Sequence, residues 1–140
     1  MHVLVVDDNL LSRTQIIGQV RRVGWEVTWV AADPEVLARL GHPHPDTVIV
    51  NLAADRAAPP FEAKGASRAA AFVRALRGVP SWSDVPVLGF CGHNDSARRQ
   101  EGLAAGCTRV ARNASVALDV TALIRALRAA GTGQGGQHVT

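Results

Sequence analysis

Residues 45–52, Pro-Asp-Thr-Val-Ile-Val-Asn-Leu, contain a short apolar run that ends in one polar residue, Asn51. An uninterrupted Val-Ile-Val run bounded by proline and polar residues predicts a strand buried on both faces, as in parallel sheets that helices cover on both sides. In open α/β sheets the functional crevice lies at the carboxyl ends of the strands. The sequence therefore predicts that Asn51 lies at a functional site, although an amide carries little chemistry of its own.

Four other segments also read as strands, and amphipathic segments between them read as helices. The remaining predicted strands cover residues 3–6, 25–32, 85–91 and 109–112, and the helices cover 10–23, 34–40, 66–77, 96–105 and 116–130. This alternation predicts an α/β fold with a doubly wound, flavodoxin-like parallel sheet of five strands in the order 2-1-3-4-5, with five helices.

Two details of the helices can be predicted from spacing and capping. In the first helix the apolar face is expected to comprise Leu10 or Leu11, Thr14, Ile17, Val20 and Val23. For the last helix, Ser115 is the expected N-cap, followed by an apolar stripe from Val116 to Leu127.

Length and composition indicate one domain. The chain has 140 residues, and we expect residues 1–130 to form the domain and the glycine-rich residues 131–140 to form a flexible tail. No segment of eighteen apolar residues occurs, and the start of the chain lacks a basic leader. With only two cysteines, Cys91 and Cys107, a reduced cytoplasmic location is expected.

The net charge of +3 comes mostly from arginines that are spread along the chain. Solvated helix faces explain such a distribution more simply than a nucleic-acid surface does. His42 and His44 have no third ligand nearby in the sequence, so a metal site there is not expected. Residues 53–65 contain two prolines and predict a long exposed loop that could carry contacts.

Two adjacent carboxylates, Asp7 and Asp8, follow the first predicted strand. They repel each other unless a cation, an ammonium group or water stabilises them, so they are candidate metal ligands. The alternative is a helix cap beside a solvated carboxylate, with Asp8 or Asn9 capping the first helix.

Residues 2–130 resemble the receiver domains of two-component response regulators, the CheY-like family. The resemblance is carried by the first strand with its acidic pair (residues 3–9), the third strand (45–52), the fourth strand (85–92) and the glycine-led fifth strand (106–114). In that family a phosphorylated aspartate occupies the position of Asn51. The acidic pair and that aspartate hold a divalent metal, and a lysine and a hydroxyl bind the phosphoryl oxygens.

This chain departs from the family pattern at each of those positions except the acidic pair. Cys91 replaces the usual threonine or serine, Val110 replaces an aromatic residue, and Asn113 replaces the lysine. Sliding the alignment by one residue would bring Arg112 to the lysine position, but a guanidinium is not equivalent to an ammonium group. The resemblance therefore implies a degenerate pseudo-receiver without aspartyl phosphorylation, in which Asp7 and Asp8 bind Mg²⁺ weakly at most.

The favoured interpretation is an atypical stand-alone receiver domain that acts in signal transduction, outside the usual phosphorelay chemistry, through phosphorylation-independent protein–protein interaction. The family's usual contact face corresponds to residues 94–130, through which a partner or a second copy is expected to bind. Two alternatives stay open: a basic nucleic-acid-associated module, and a small-ligand or redox sensor in which Cys91 lies beside Asn51. No nucleophile–base pair or phosphate loop is visible, so we do not expect an enzyme.

Overall fold

The structure, a computed structural model, describes residues 1–40, 44–53 and 67–133. The strands are β1 (His2–Val6), β2 (Glu26–Val30), β3 (Thr47–Asn51), β4 (Val87–Cys91) and β5 (Arg109–Arg112). The helices are α1 (Leu10–Arg22), α2 (Leu37–Leu40), α3 (Arg68–Arg77), α4 (Ser96–Ala105) and α5 (Asn113–Gly133), with 3₁₀ turns at Pro34–Val36 and Pro80–Trp82. All strand pairs are parallel and the sheet order is β2-β1-β3-β4-β5, so the predicted fold is confirmed.

The pleat of the sheet divides the core into two layers, because successive side chains of a strand point to opposite faces. On one face, which we call the α1–α5 side, Val5, Ile49 and Phe90 pack with side chains of α1 and α5. On the other, the α3–α4 side, Val6 and Val50 pack with side chains of α3 and α4, and Leu37 and Leu40 of α2 pack against them. The strands β1, β3 and β4 are thus covered on both faces, as the sequence predicted for β3.

Helix α1 buries a face that shares Val20 with the predicted one but is otherwise different. Ile16 and Val20 are its buried residues, whereas Leu10 and Leu11 are 67% and 69% exposed. Asn9 caps the helix by accepting a hydrogen bond from the backbone N–H of Ser12. Since the cap fixes where the first turn begins, it places the two leucines on the outer surface and Ser12 close to the strand ends.

Helix α5 also differs from the prediction. It begins at Asn113, directly after β5, so Ser115 is not its N-cap. Its backbone leaves the helical conformation at Asp119, which divides it into a short first segment and a long second segment. The second segment continues to Gly133, three residues into the predicted tail, and residues 134–140 lie outside the described part of the chain.

Some predicted features cannot be located, because the residues concerned lie outside the described ranges. These are His42 and, apart from Ala53, the predicted contact loop at residues 53–65. Within the described ranges, no helix is both long and apolar enough to cross a membrane.

Arg77, at the end of α3, holds three chain segments together. Its Nε donates to the carbonyl of Gly106 (2.9 Å), and its Nη1 donates to the carbonyls of Ser83 (2.9 Å) and Val85 (2.7 Å). Gly106 has a φ of 129°, and a Cβ there would approach Arg77 Cγ to 2.7 Å. The close approach of this arginine therefore depends on a glycine at the end of α4.

We expect Arg77→Met to lower the free energy of unfolding by about 3 kcal/mol, because it leaves several backbone carbonyls without their charged donor. Urea denaturation monitored by circular dichroism measures the change. Arg74→Met, on the exposed face of the same helix, is the matched control and should change stability by less than about 0.5 kcal/mol. Equal losses in both variants would contradict this role for Arg77.

Candidate functional site

The site is built where β1 and β3 end side by side. Val6 pairs with Val50 in the sheet, so the residues that follow, Asp7 and Asn51, are neighbours at the carboxyl edge. Both side chains are buried, Asp7 completely and Asn51 to 8% exposure. Asn51 Nδ2 donates a hydrogen bond of 3.0 Å to Asp7 Oδ1. The structure thus brings together two of the predicted site residues.

Two more donors complete the environment of the Asp7 carboxylate. The backbone N–H of Asn9 donates to Oδ1 at 2.9 Å, and the Ser12 hydroxyl donates to Oδ2. A buried carboxylate is costly unless hydrogen bonds replace its lost hydration. Here neutral donors reach both oxygens, so the network satisfies the carboxylate with groups of the chain itself.

The orientation of the Asn51 amide follows from its neighbours. Its Oδ1 accepts a hydrogen bond from the backbone N–H of Ala53 at 2.9 Å, so its Nδ2 must face Asp7. Nδ2 also lies 3.5 Å from Ser12 Oγ. The amide supplies one acceptor and one donor in this geometry, whereas an ionised aspartate would present an oxygen to Asp7.

Sequence reasoning missed Ser12. Its backbone N–H binds the N-cap Asn9, so it lies in the first turn of α1 and its side chain can reach back to the strand end. The spacing of three residues from the N-cap resembles a capping box, in which the residue at this position reaches back toward the helix start. That three-residue spacing was the sequence feature from which the contact of Ser12 with the strand end could have been predicted.

Asp8 does not join this network. It is exposed, and its Oδ1 accepts a hydrogen bond of 3.0 Å from the backbone N–H of Ala32, just after β2. Because β2 and β3 flank β1 on opposite sides, Asp8 binds toward β2 while Asp7 binds toward β3. The two carboxylates are engaged in different directions.

These contacts do not fit a tight magnesium site. Mg²⁺ requires oxygen ligands in near-ideal octahedral geometry, whereas the group facing Asp7 is the amide nitrogen of Asn51. Among the described residues, no group of three or more histidine, cysteine, aspartate or glutamate side chains converges on a common point.

Cys91 was predicted to lie beside Asn51, but the side chains of these two residues point to opposite faces of the sheet. Cys91 packs on the α3–α4 side of the sheet, and its Sγ lies 3.7 Å from the carbonyl of Asp95. The side chain of Asn51 points to the same face of the sheet as that of Ile49, two residues earlier in β3, and this is the α1–α5 side. Burial raises the pKa of the Cys91 thiol, and burial raises the pKa of Cys107 to about 12. Both thiols are therefore poor candidates for redox chemistry.

The other degenerate positions lie along β5 and at its end. Val110 pairs with Gly89 and is buried, whereas Arg112 is exposed opposite Cys91 in the register. Asn113 is exposed at the start of α5.

An arginine that sequence analysis did not single out lies beside the site. Arg98 Nη1 donates to the carbonyl of Leu52 at 3.1 Å, one residue beyond Asn51, and Arg98 Nε pairs with Asp95 at 3.5 Å. Leu52 in turn packs closely against α4, since a Cβ on Gly102 would approach it to 2.6 Å. Helix α4 is therefore tied to the chain that leaves β3.

No protein-family profile and no curated protein sequence matches the chain. Solved structures do match it. The chemotaxis response regulator CheY4 of Vibrio cholerae superposes with a TM-score of 0.65 at 24% identity, over 90% of this chain and 98% of that one. The receiver domain of a histidine kinase from Syntrophus aciditrophicus gives 0.71 at 16% identity, over 99% and 96% of the two chains.

A third similar structure is the receiver domain of NtrX from Brucella abortus, with a TM-score of 0.64 at 20% identity, covering 90% of this chain and 98% of that one. The chain has the receiver fold. In this chain Asp7 and Asp8 follow β1, and Asn51 ends β3. Asn51 donates a hydrogen bond to Asp7.

We expect Asn51→Asp to lower the free energy of unfolding by about 3 kcal/mol, because it replaces a hydrogen bond to buried Asp7 with a second carboxylate. Millimolar Mg²⁺ should recover part of that stability in the variant and leave the parent unchanged, since a cation offsets the new repulsion. Thermal unfolding with and without Mg²⁺ measures both effects.

Asn51→Ala is the matched control, because it removes the same hydrogen bond without adding charge. It should lose about 1–2 kcal/mol irrespective of Mg²⁺. Stabilisation of the parent by Mg²⁺ equal to that of the Asn51→Asp variant would show that the parent binds the ion well, contrary to the geometry.

Proposed function

We propose that this chain is an atypical receiver domain that acts in signal transduction by protein contact and independently of its own phosphorylation. The observation that carries the proposal is the hydrogen bond from Asn51 Nδ2 to Asp7 Oδ1. At the position where the family has its acceptor carboxylate, this chain has an amide whose two ends are already bonded.

The chemistry of the site supports the loss of phosphoryl transfer. An acyl phosphate needs a carboxylate oxygen as nucleophile, and an amide has none to offer. Phosphoryl transfer also depends on cations that neutralise charge on the transferred group. Asp7 binds chain donors instead of facing an open metal position, and Asn113 is an exposed amide where the family has lysine.

Contact then has to be made by the surface, and the face formed by α4, β5 and α5 is our candidate. Exposed Arg109 and Arg112 lie at the two ends of β5. Leu103 on α4 is 47% exposed and Leu118 on α5 is 85% exposed. Exposed cations and exposed leucines on these three elements suit a partner that carries carboxylates around an apolar centre. A second copy of the chain is the other occupant that we consider.

Two features of the same face limit its acidic character. Asp95 pairs with Arg98 and caps α4, and Glu101 accepts a hydrogen bond from the backbone N–H of Ser67. Both carboxylates are thus engaged within the chain. The excess of arginine on this surface also suits the nucleic-acid alternative. That alternative can be tested, because nucleic-acid binding weakens steeply with added salt.

We expect the parent chain to gain no phosphoryl group when it is incubated with magnesium and acetyl phosphate, because it lacks the acceptor carboxylate. Intact-mass spectrometry measures the adduct, and Asn51→Asp, which restores a carboxylate at the family position, is the comparison. A clean single adduct on the parent would mean that another residue has become the acceptor, and the proposal would then be wrong.

The contact face is tested by charge reversal. In-cell crosslinking followed by mass spectrometry should recover a partner or a second copy with the parent, and Arg109→Glu with Arg112→Glu should reduce that recovery about tenfold or more. The matched control is Arg21→Glu with Arg22→Glu, at two exposed positions at the end of α1. This variant should give the same crosslink recovery as the parent. Salt-sensitive binding of duplex DNA, lost in the same β5 variant, would favour the nucleic-acid alternative instead.

A further inference from the structure

The break in α5 is a built feature of the chain. Asp119 has extended backbone angles (φ −165°, ψ 88°), and its Oδ1 accepts hydrogen bonds from the backbone N–H of Ala122 (3.1 Å) and the hydroxyl of Thr121 (2.7 Å). These are the contacts of an N-cap. Asp119 therefore starts the second segment of α5, and the turn from Asn113 to Leu118 is a separate unit between β5 and that helix.

One side chain of α1 holds both sides of the break. Gln19 Nε2 donates to the carbonyls of Val116 (3.0 Å) and Ala117 (3.2 Å), and Gln19 Oε1 accepts from the backbone N–H of Val120 (2.6 Å). Carbonyls at the end of one helical segment and N–H groups at the start of the next have no partner within their own segments. Gln19 supplies those partners.

Gln19 and the site residue Ser12 lie on the same side of α1. They are seven residues apart, which is about two turns of an α-helix, so their side chains project from one face. Ile16, between them on that face, is buried. Helix α1 thus contacts the strand-end network at Ser12 and the break in α5 at Gln19.

We propose that α1 couples the Asp7–Asn51 network to the first segment of α5 through Ser12 and Gln19. Because coupling is reciprocal, a partner that moves residues 113–118 alters, through Gln19, the seating of α1 and the hydrogen bonding at the strand ends, and a change at the strand ends alters the position of residues 113–118. That segment ends at Leu118, which is 85% exposed, so its position determines how this leucine meets a partner. The contacts that make up this route include neither Cys91 nor Val110, the degenerate switch positions.

Coupling between the two contacts is measured by a double-mutant cycle, because residues that act through one element give non-additive effects. The readout is native-state hydrogen exchange by NMR at the Ala122 amide, which Asp119 binds and Gln19 does not touch. Ser12→Ala should speed this exchange roughly fivefold in the parent background. It should add little once Gln19→Ala is present.

Gln15→Ala, exposed on α1 between the two contacts, is the matched control and should leave the Ala122 amide unchanged. Ser12→Thr retains the hydroxyl and should keep the parent rate. If the Ser12→Ala and Gln19→Ala effects simply multiply, or if Ser12→Ala speeds exchange equally at amides of β3 and β4, the proposal is overturned. The experiment uses the chain alone without a phosphodonor, so its failure is separate from failure of the proposed function.

Discussion

The hydrogen bond between Asn51 and Asp7 is the interaction on which the carboxyl edge of the sheet depends. Asp7 is fully buried, and burial of a carboxylate at this position requires donors on its oxygens. An aspartate at position 51 would instead bring a second carboxylate to within hydrogen-bonding distance and would need a cation between the two. The amide removes that need, so the same backbone arrangement is stable with neutral donors around the single carboxylate of Asp7.

This network also sets the position of α1. Because the pleat places Asp7 and Asn51 on the α1–α5 side, the first turn of α1 can reach them with Ser12. Gln19 then fixes the same helix to α5 two turns further on. Helix α1 therefore makes polar contacts with the strand ends and with α5. Its apolar residues Ile16, between Ser12 and Gln19, and Val20, just after Gln19, lie against the sheet.

The fold and part of the site could be predicted because they depend on local pattern. Apolar runs fixed the strands, and the ends of neighbouring parallel strands necessarily meet, which brought Asp7 and Asn51 together. The contacts of Gln19 could not be predicted, since its partner Val116 is 97 residues away. The break at Asp119 was hidden because the apolar stripe of α5 continues across it. The face on which Cys91 lies could not be predicted because it depends on the register of β3 against β4, in which Asn51 pairs with Phe90 and not with Cys91.

The proposed function places a physical requirement on how a signal acts. A ligand or partner shifts a conformational equilibrium only by the difference in its affinity for the two states. Phosphorylation would supply that difference as charge at the strand ends, but Asn51 and Asp7 form a closed pair of hydrogen-bonded groups there. Under the proposed function, the remaining source of differential affinity is the surface that would meet the partner, where Leu118 lies next to the break in α5. Under that proposal, recognition and response are therefore the same event.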